Sequence, residues 1–152
     1  MQAFIRHVAA AAALSLGCAA IAATPAAAAK VAAEPTSKVV YHVNEGVEHA
    51  PQVLRNIANH LDAEPGARIV VVTHGPGIDF LLEGAHDKNG NPFDATVDTL
   101  QARGVDFRVC NNTLTARHID PKKVIPEATI VPSGVAEIGR LEAKEGYVYL
   151  KP

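Results

Sequence analysis

The sequence predicts an α/β protein, a three-layer α/β/α sandwich around a mainly parallel five-stranded sheet. Three observations carry this. Short β-branched runs alternate with segments of helical period, the pattern of strand–helix–strand units. Arg68 to Thr73 (RIVVVT) is nearly continuous apolar, as expected of a strand covered on both faces. The apolar runs also end at Asn44, His74, Cys110 and Ser133, and in such sheets ligands sit beyond the carboxyl ends of the strands.

Lys38 to Asn44 (KVVYHVN) is the first strand expected, rich in β-branched residues. In Val47 to Leu61, residues Val47, Ala50, Val53, Leu54, Ile57, Ala58 and Leu61 recur at helical spacing. Pro51 falls in the first turn, where the missing N–H is tolerated, and Glu64-Pro65-Gly66 ends the helix. Arg68 to Thr73 is the second strand. Gly75-Pro76-Gly77 reads as a loop, Ile78 to Leu82 as a short helix, and Asp87 to Pro92 (DKNGNP) as turn chemistry. Asp79 and Glu83, four apart, read as a solvated face. Phe93 to Ala102 is a helix closed by Gly104, and Val105 to Cys110 the third strand. Thr113 to His118 is a helical turn and Ala128 to Val131 a fourth strand. Gly134 to Lys144 is a helix with Ser133 placed to cap it and Gly146 to end it. Tyr147 to Leu150 is the fifth strand.

Residues 1–29 differ from the rest of the chain. Arg6 precedes an apolar, Ala-rich stretch from Val8 to Ala20, and small residues continue to Ala29. A positive start, a short apolar core and A-x-A endings mark a secretory signal peptide. Ala22, Ala28 and Ala29 are alternative cleavage ends. Alanine inserts weakly and Thr24-Pro25 interrupt the run, so a spanning helix is not expected after processing. Leu16-Gly17-Cys18 leaves lipoprotein anchoring at Cys18 as a minor alternative, although Ser15 stands where leucine is usual. Residues 30–37 form a linker and residues 38–152 one domain. The location expected is the periplasm, an oxidising compartment in which Cys110 is the one cysteine of the processed chain.

Composition narrows the function. The chain is 48% hydrophobic and 20% charged, which fits a globular protein. Its formal net charge is −2 and it has no basic patch, so nucleic acid is not an expected partner. His74-Gly75-Pro76-Gly77 is neither a dinucleotide fingerprint nor a phosphate loop. No G-x-S-x-G supports a serine hydrolase. No H-E-x-x-H is present, and one cysteine excludes a Cys-rich zinc site within one chain. No cofactor and no metal are expected.

Cys110 is the residue to which chemistry attaches. It ends an apolar run and precedes the polar Asn111-Asn112-Thr113. A helix start there would direct the N–H groups of Asn111, Asn112 and Thr113 at the sulfur and stabilise a thiolate. The alternative is a buried cysteine acting as a small hydrophobe. Gly75 and Gly77 would let backbone approach a ligand. His74 would orient or protonate a group near Cys110, or serve only as a satisfied structural histidine. Asn44 and Ser133, at neighbouring strand ends, complete the candidate ligand-binding set. His118 reads as a solvated side chain.

VVTHGPGIDFLL, then L-x-x-x-GVDFRVCNNT, then VPSGVAEIGRLEAKEGYVYLKP resemble the DsrE/DsrF-like family, in particular its single-domain secreted members. VVYHVNEG and Leu54-Arg55-Asn56 fit as well, so the resemblance spans nearly the whole chain after Lys38. It implies a small α/β/α fold and a homo-oligomer, often a trimer or hexamer. It also implies that Cys110 carries sulfur as a persulfide between a donor and an acceptor protein. A signal peptide departs from the cytoplasmic relay proteins of this kind. The alternative function is a non-catalytic ligand-binding or assembly module in which Cys110 is structural or redox-responsive.

Overall fold

The computed structural model describes residues 37–152. The signal peptide, its cleavage ends, Cys18 and the linker before Ser37 lie outside the described residues.

The architecture is the α/β one expected: five parallel strands with helices on both faces. The strands are β1 (Lys38–Val43), β2 (Arg68–Thr73), β3 (Asp106–Cys110), β4 (Ala128–Val131) and β5 (Val148–Leu150), in the order β4-β3-β2-β1-β5. The helices are α1 (Ala50–Ala63), α2 (Asp94–Ala102), α3 (Asn111–Ala116) and α4 (Gly134–Glu145).

Handedness explains how the layers divide. From β1 to β4 the chain steps always toward the same edge, so right-handed crossovers put α1, α2 and α3 on one face. The connection from β4 to β5 runs back across the whole sheet, so α4 falls on the opposite face. The core divides accordingly. Val53, Leu54, Ile57, Val97, Leu100 and Leu114 pack with Val39, Tyr41, Ile69, Val71, Phe107 and Val109. Ile138, Leu141 and Tyr147 pack with Val40, Val70 and Val72. The strand residues of the two sets alternate along β1 and β2.

Boundaries differ from expectation where one residue redirects the chain. Asn44 lies just past β1, and α1 starts at Ala50 rather than Val47, because His49 N–H bonds back to Gly46 and closes a turn first. Gly75, at φ +54°, turns the chain directly from β2 into a 3-10 helix over Gly75–Leu81. The segment 75–77 is therefore the first part of a helix, where a loop was expected. α3 begins at Asn111, two residues earlier than the helical turn expected, with Cys110 itself as the capping residue. Ser133 caps α4 as expected, its Oγ accepting from Ala136 N–H, and Gly146 closes it at φ +72°.

Asp79 and Glu83 do not form a free solvated face. Asp79 pairs with Arg117 at 2.6 Å and Glu83 with Lys123 at 3.1 Å. Both pairs fasten the 75–83 segment to the chain beyond β3. Phe107 is the central large side chain of β3, fully buried under α2 and α3. Phe107→Ala is expected to cost about 4 kcal/mol, read as a lowered urea midpoint with an unchanged m-value.

Candidate functional site

The carboxyl ends of β3 and β4 are a topological switch point. These strands are adjacent, yet β3 feeds α3 on one face and β4 feeds α4 on the other. Their departing backbones leave a crevice, the place where α/β sheets bind ligands. Cys110 is paired with Val131 at its mouth. A hollow of about 340 Å³ opens there, bounded by His74, Gly75, Cys110, Asn112, Thr113 and Ser133. Six of the nine candidate residues thus meet in one place.

The other three are placed otherwise. Gly77 does not border the hollow. A β-carbon on it would lie 2.3 Å from Val43 O, so its lack of a side chain lets the 3-10 helix pack on β1. Asn44 stands beyond β1 and accepts a hydrogen bond from Lys151 Nζ, which also pairs with Glu45. Asn111 opens α3 without bordering the hollow. His118, exposed at φ +52°, is likewise outside it. A larger hollow of about 740 Å³ lies between the start of α1 and residues 86–89, and none of the nine candidate residues lines it.

Four donors surround Cys110. Burial pushes its thiol pKa up. The Gly134 N–H, the Thr113 hydroxyl, and the Thr113 and Asn112 N–H groups pull it down, and the donors prevail, holding it below its ordinary value. The Thr113 hydroxyl is oriented for this. Its oxygen accepts from Gly75 N–H at 2.9 Å, which turns its hydrogen to the sulfur. The glycine of the HGPG segment therefore acts on the thiol through Thr113.

Gly134 is the site residue that the sequence reading missed as such. As the first residue of α4 it has an N–H with no intrahelical partner, and this N–H reaches the sulfur. A β-carbon on it would stand 3.2 Å from Thr73 O and 3.3 Å from the β-carbons of both Cys110 and His74. A bare α-carbon lets α4 come this close without pushing these neighbours back by a few tenths of an ångström. Arg117, Ala116 and Val135 complete the rim. Arg117 is held by Asp79 and by Gly75 O at 3.2 Å, leaving its charge partly neutralised.

His42 and Tyr149 were also missed. His42 Nε2 lies 2.6 Å from His74 Nε2, and His42 Nδ1 lies 2.6 Å from the Tyr149 hydroxyl. The signal available was His42 itself, a polar residue two positions from Val40 on the α4 side of β1. Nothing in the sequence pairs it with His74. Burial, first, holds both histidines below their ordinary pKa, with Lys151 adding to the effect. Among the described residues, no cluster of three or more His, Cys, Asp or Glu is placed to hold a metal ion. Among them too, no helix is long and apolar enough to cross a membrane.

Thr113→Val is expected to raise the thiol pKa and to strand the Gly75 N–H, at a stability cost of about 1 kcal/mol. Iodoacetamide alkylation followed against pH checks the first effect, as a reactivity midpoint moved to higher pH. Linkage gives a second measurement. A thiol whose folded pKa is depressed stabilises the fold as pH rises from that value to the unfolded one, and the gain is lost as pH falls back. The stability difference between wild type and Cys110→Ser is expected to grow through this interval and then level off.

Three comparisons place the chain among known proteins. The DsrE/DsrF-like family model matches residues 7–152. The solved structure of MTH1491, a protein of unknown function from Methanobacterium thermoautotrophicum, is similar at 27% identity and TM-score 0.67, over 76% of this chain and 99% of that one. The E. coli ychN protein is similar in fold at 16% identity and TM-score 0.64, with the same coverage. No curated protein matches the sequence. With the family match running through β1 to β5 and the crevice at Cys110, the chain belongs to the DsrE/DsrF-like family.

Proposed function

We propose that the protein carries sulfane sulfur as a persulfide on Cys110, receiving it from a donor and yielding it to an acceptor thiol. The observation that carries this reading is Cys110 at the mouth of the crevice, bordering the hollow, with donors of Gly134, Thr113 and Asn112 holding its thiol pKa down despite burial. A thiolate, not a thiol, attacks sulfane sulfur. A terminal persulfide anion would take up the same hydrogen bonds one atom further out, in the hollow of about 340 Å³. The rim suits a small or extended sulfur carrier better than a nucleotide, because no phosphate-cradling loop borders it.

The setting proposed is the periplasm, on the strength of residues 1–29, and the working unit a homo-oligomer, trimer or hexamer, on the strength of the family. An oxidising compartment makes a shielded thiol useful. Cys110 is only 4% exposed, which disfavours disulfide formation with a bulky partner while leaving small sulfur species access.

The test is loading of the processed protein with a small-molecule persulfide, followed by intact mass. Wild type is expected to gain one sulfur atom, removable by a thiol, and Cys110→Ser to gain none. A wild type that stays unmodified, or a variant that loads equally, sinks the reading in favour of a binding or assembly module.

A further inference from the structure

Tyr149, His42, His74 and Cys110 form a diagonal across the α4 face of the sheet. Tyr149 is on β5, His42 on β1, His74 one residue past β2, and Cys110 ends β3. Register puts Val40 beside Tyr149, His42 beside Val72, and Thr73 beside Val109, so Tyr149, His42 and His74 step toward the carboxyl edge and Cys110 stands level with His74. His74 and Cys110 are the next positions after the Thr73–Val109 pair, on strands roughly 5 Å apart. Their β-carbons flank the same point, 3.3 Å from each, above Gly134, and both border one hollow.

The two imidazoles meet edge to edge. Their nitrogens are 2.6 Å apart and their ring centroids 4.7 Å. Such a contact holds one proton between two nitrogens, so one ring donates and the other accepts. With His42 Nδ1–H donating to the Tyr149 hydroxyl oxygen, His42 Nε2 accepts the shared proton from His74 Nε2–H. His74 Nδ1 then keeps a free lone pair, the position at which the pair takes a proton. One further proton can be taken up by the pair and spread over both rings. The charged groups near it are Lys151 and Glu45, which pair with each other, and Arg117, which is paired with Asp79. On α4, Glu137 is engaged by Arg108 and Arg140. None of these is free to supply or remove the proton.

We propose that the His42–His74 pair is the proton store for sulfur transfer at Cys110, an inference that rests on the persulfide reading above. The pair takes the thiol proton as Cys110 ionises. The thiolate attacks the outer sulfur of a donor persulfide R–S–SH, the Cys110 S–S bond forms, and the donor S–S bond breaks with its electron pair on R–S⁻. The pair returns its proton to that sulfur, giving R–SH and Cys110–S–SH. No net oxidation occurs. His74 exchanges the proton at the hollow, and His42 is a positioning residue that fixes the tautomer and shares the charge.

Glutathione persulfide loading and iodoacetamide alkylation, each followed against pH, separate the alternatives. Iodide leaves without a proton, so alkylation needs only the thiolate. His74→Gln and His42→Gln keep a hydrogen-bonding group but hold no proton. Both are expected to slow loading about a hundredfold at neutral pH. Both should also lose one limb of a bell-shaped wild-type profile, with alkylation of the fully ionised thiol unchanged. Variants that load with wild-type rate and profile overturn the proposal. A wild type that gains no sulfur defeats the persulfide reading instead, and alkylation then decides about the pair. A second inflection in the imidazole range, present in wild type and absent from His74→Gln, upholds it, and a single inflection in both overturns it.

Discussion

The close approach of α4 to the sheet at Gly134 is the constraint on which the rest of the site depends. Because residue 134 has no side chain, the first turn of α4 rests against Thr73 O and the β-carbons of Cys110 and His74. That contact brings an unsatisfied helix N–H to the thiol. The helix is held there from both ends of its contact surface. Ile138 and Leu141 pack on Val40, Val70 and Val72. Arg108, itself on β3, engages Glu137, which Arg140 also holds at 2.7 Å. Arg108 is two residues from Cys110, so the salt-bridged anchor and the reactive end lie on the same strand.

The electrostatics of the crevice reflect how few charges are admitted. Burial drives Cys110, His42 and His74 all toward their uncharged forms. Only at the sulfur do hydrogen-bond donors outweigh that cost. The result is a site where dipoles rather than a cation hold the thiol pKa down. A thiolate that is paired with a full positive charge is held more tightly and attacks less readily, since nucleophilicity falls with pKa. The one cation on the rim, Arg117, is turned aside by Asp79. The polar chain through Tyr149 ends at an edge strand, where Tyr149 is partly exposed and in contact with solvent.

Much of this was legible in the sequence. The alternation of β-branched runs with helical periods identified all five strands, and β2 reads most clearly because a strand buried on both faces admits few polar residues. Cys110 was legible as a residue at a strand end, and Thr113, Asn112, His74, Gly75 and Ser133 as its neighbours in the crevice. The errors fall where local signals have two readings. A glycine pair after a strand suggests a loop open to a ligand, but the segment is helical from Gly75, and Gly77 serves a helix-to-strand contact while Gly75 alone of the pair borders the hollow. Asp79 and Glu83 at helical spacing look solvated until the chain after β3 brings Arg117 and Lys123 to them.

By itself, then, the sequence determined the layered fold, the order of its elements, and the strand end at which the single thiol of the domain stands. These depend on periodicity and turn chemistry, which act between residues close in the chain. Tertiary structure decided which groups from distant elements join that thiol. Gly134, His42 and Tyr149 come from three other elements, and Tyr149 is 107 residues from His42. Their meeting depends on strand order and on α4 crossing to the opposite face, and neither leaves a mark on local sequence pattern. The thiol's depressed pKa belongs to the same class of fact in part, because Asn112 and Thr113 follow Cys110 in the chain but only packing brings the Gly134 N–H to act on it.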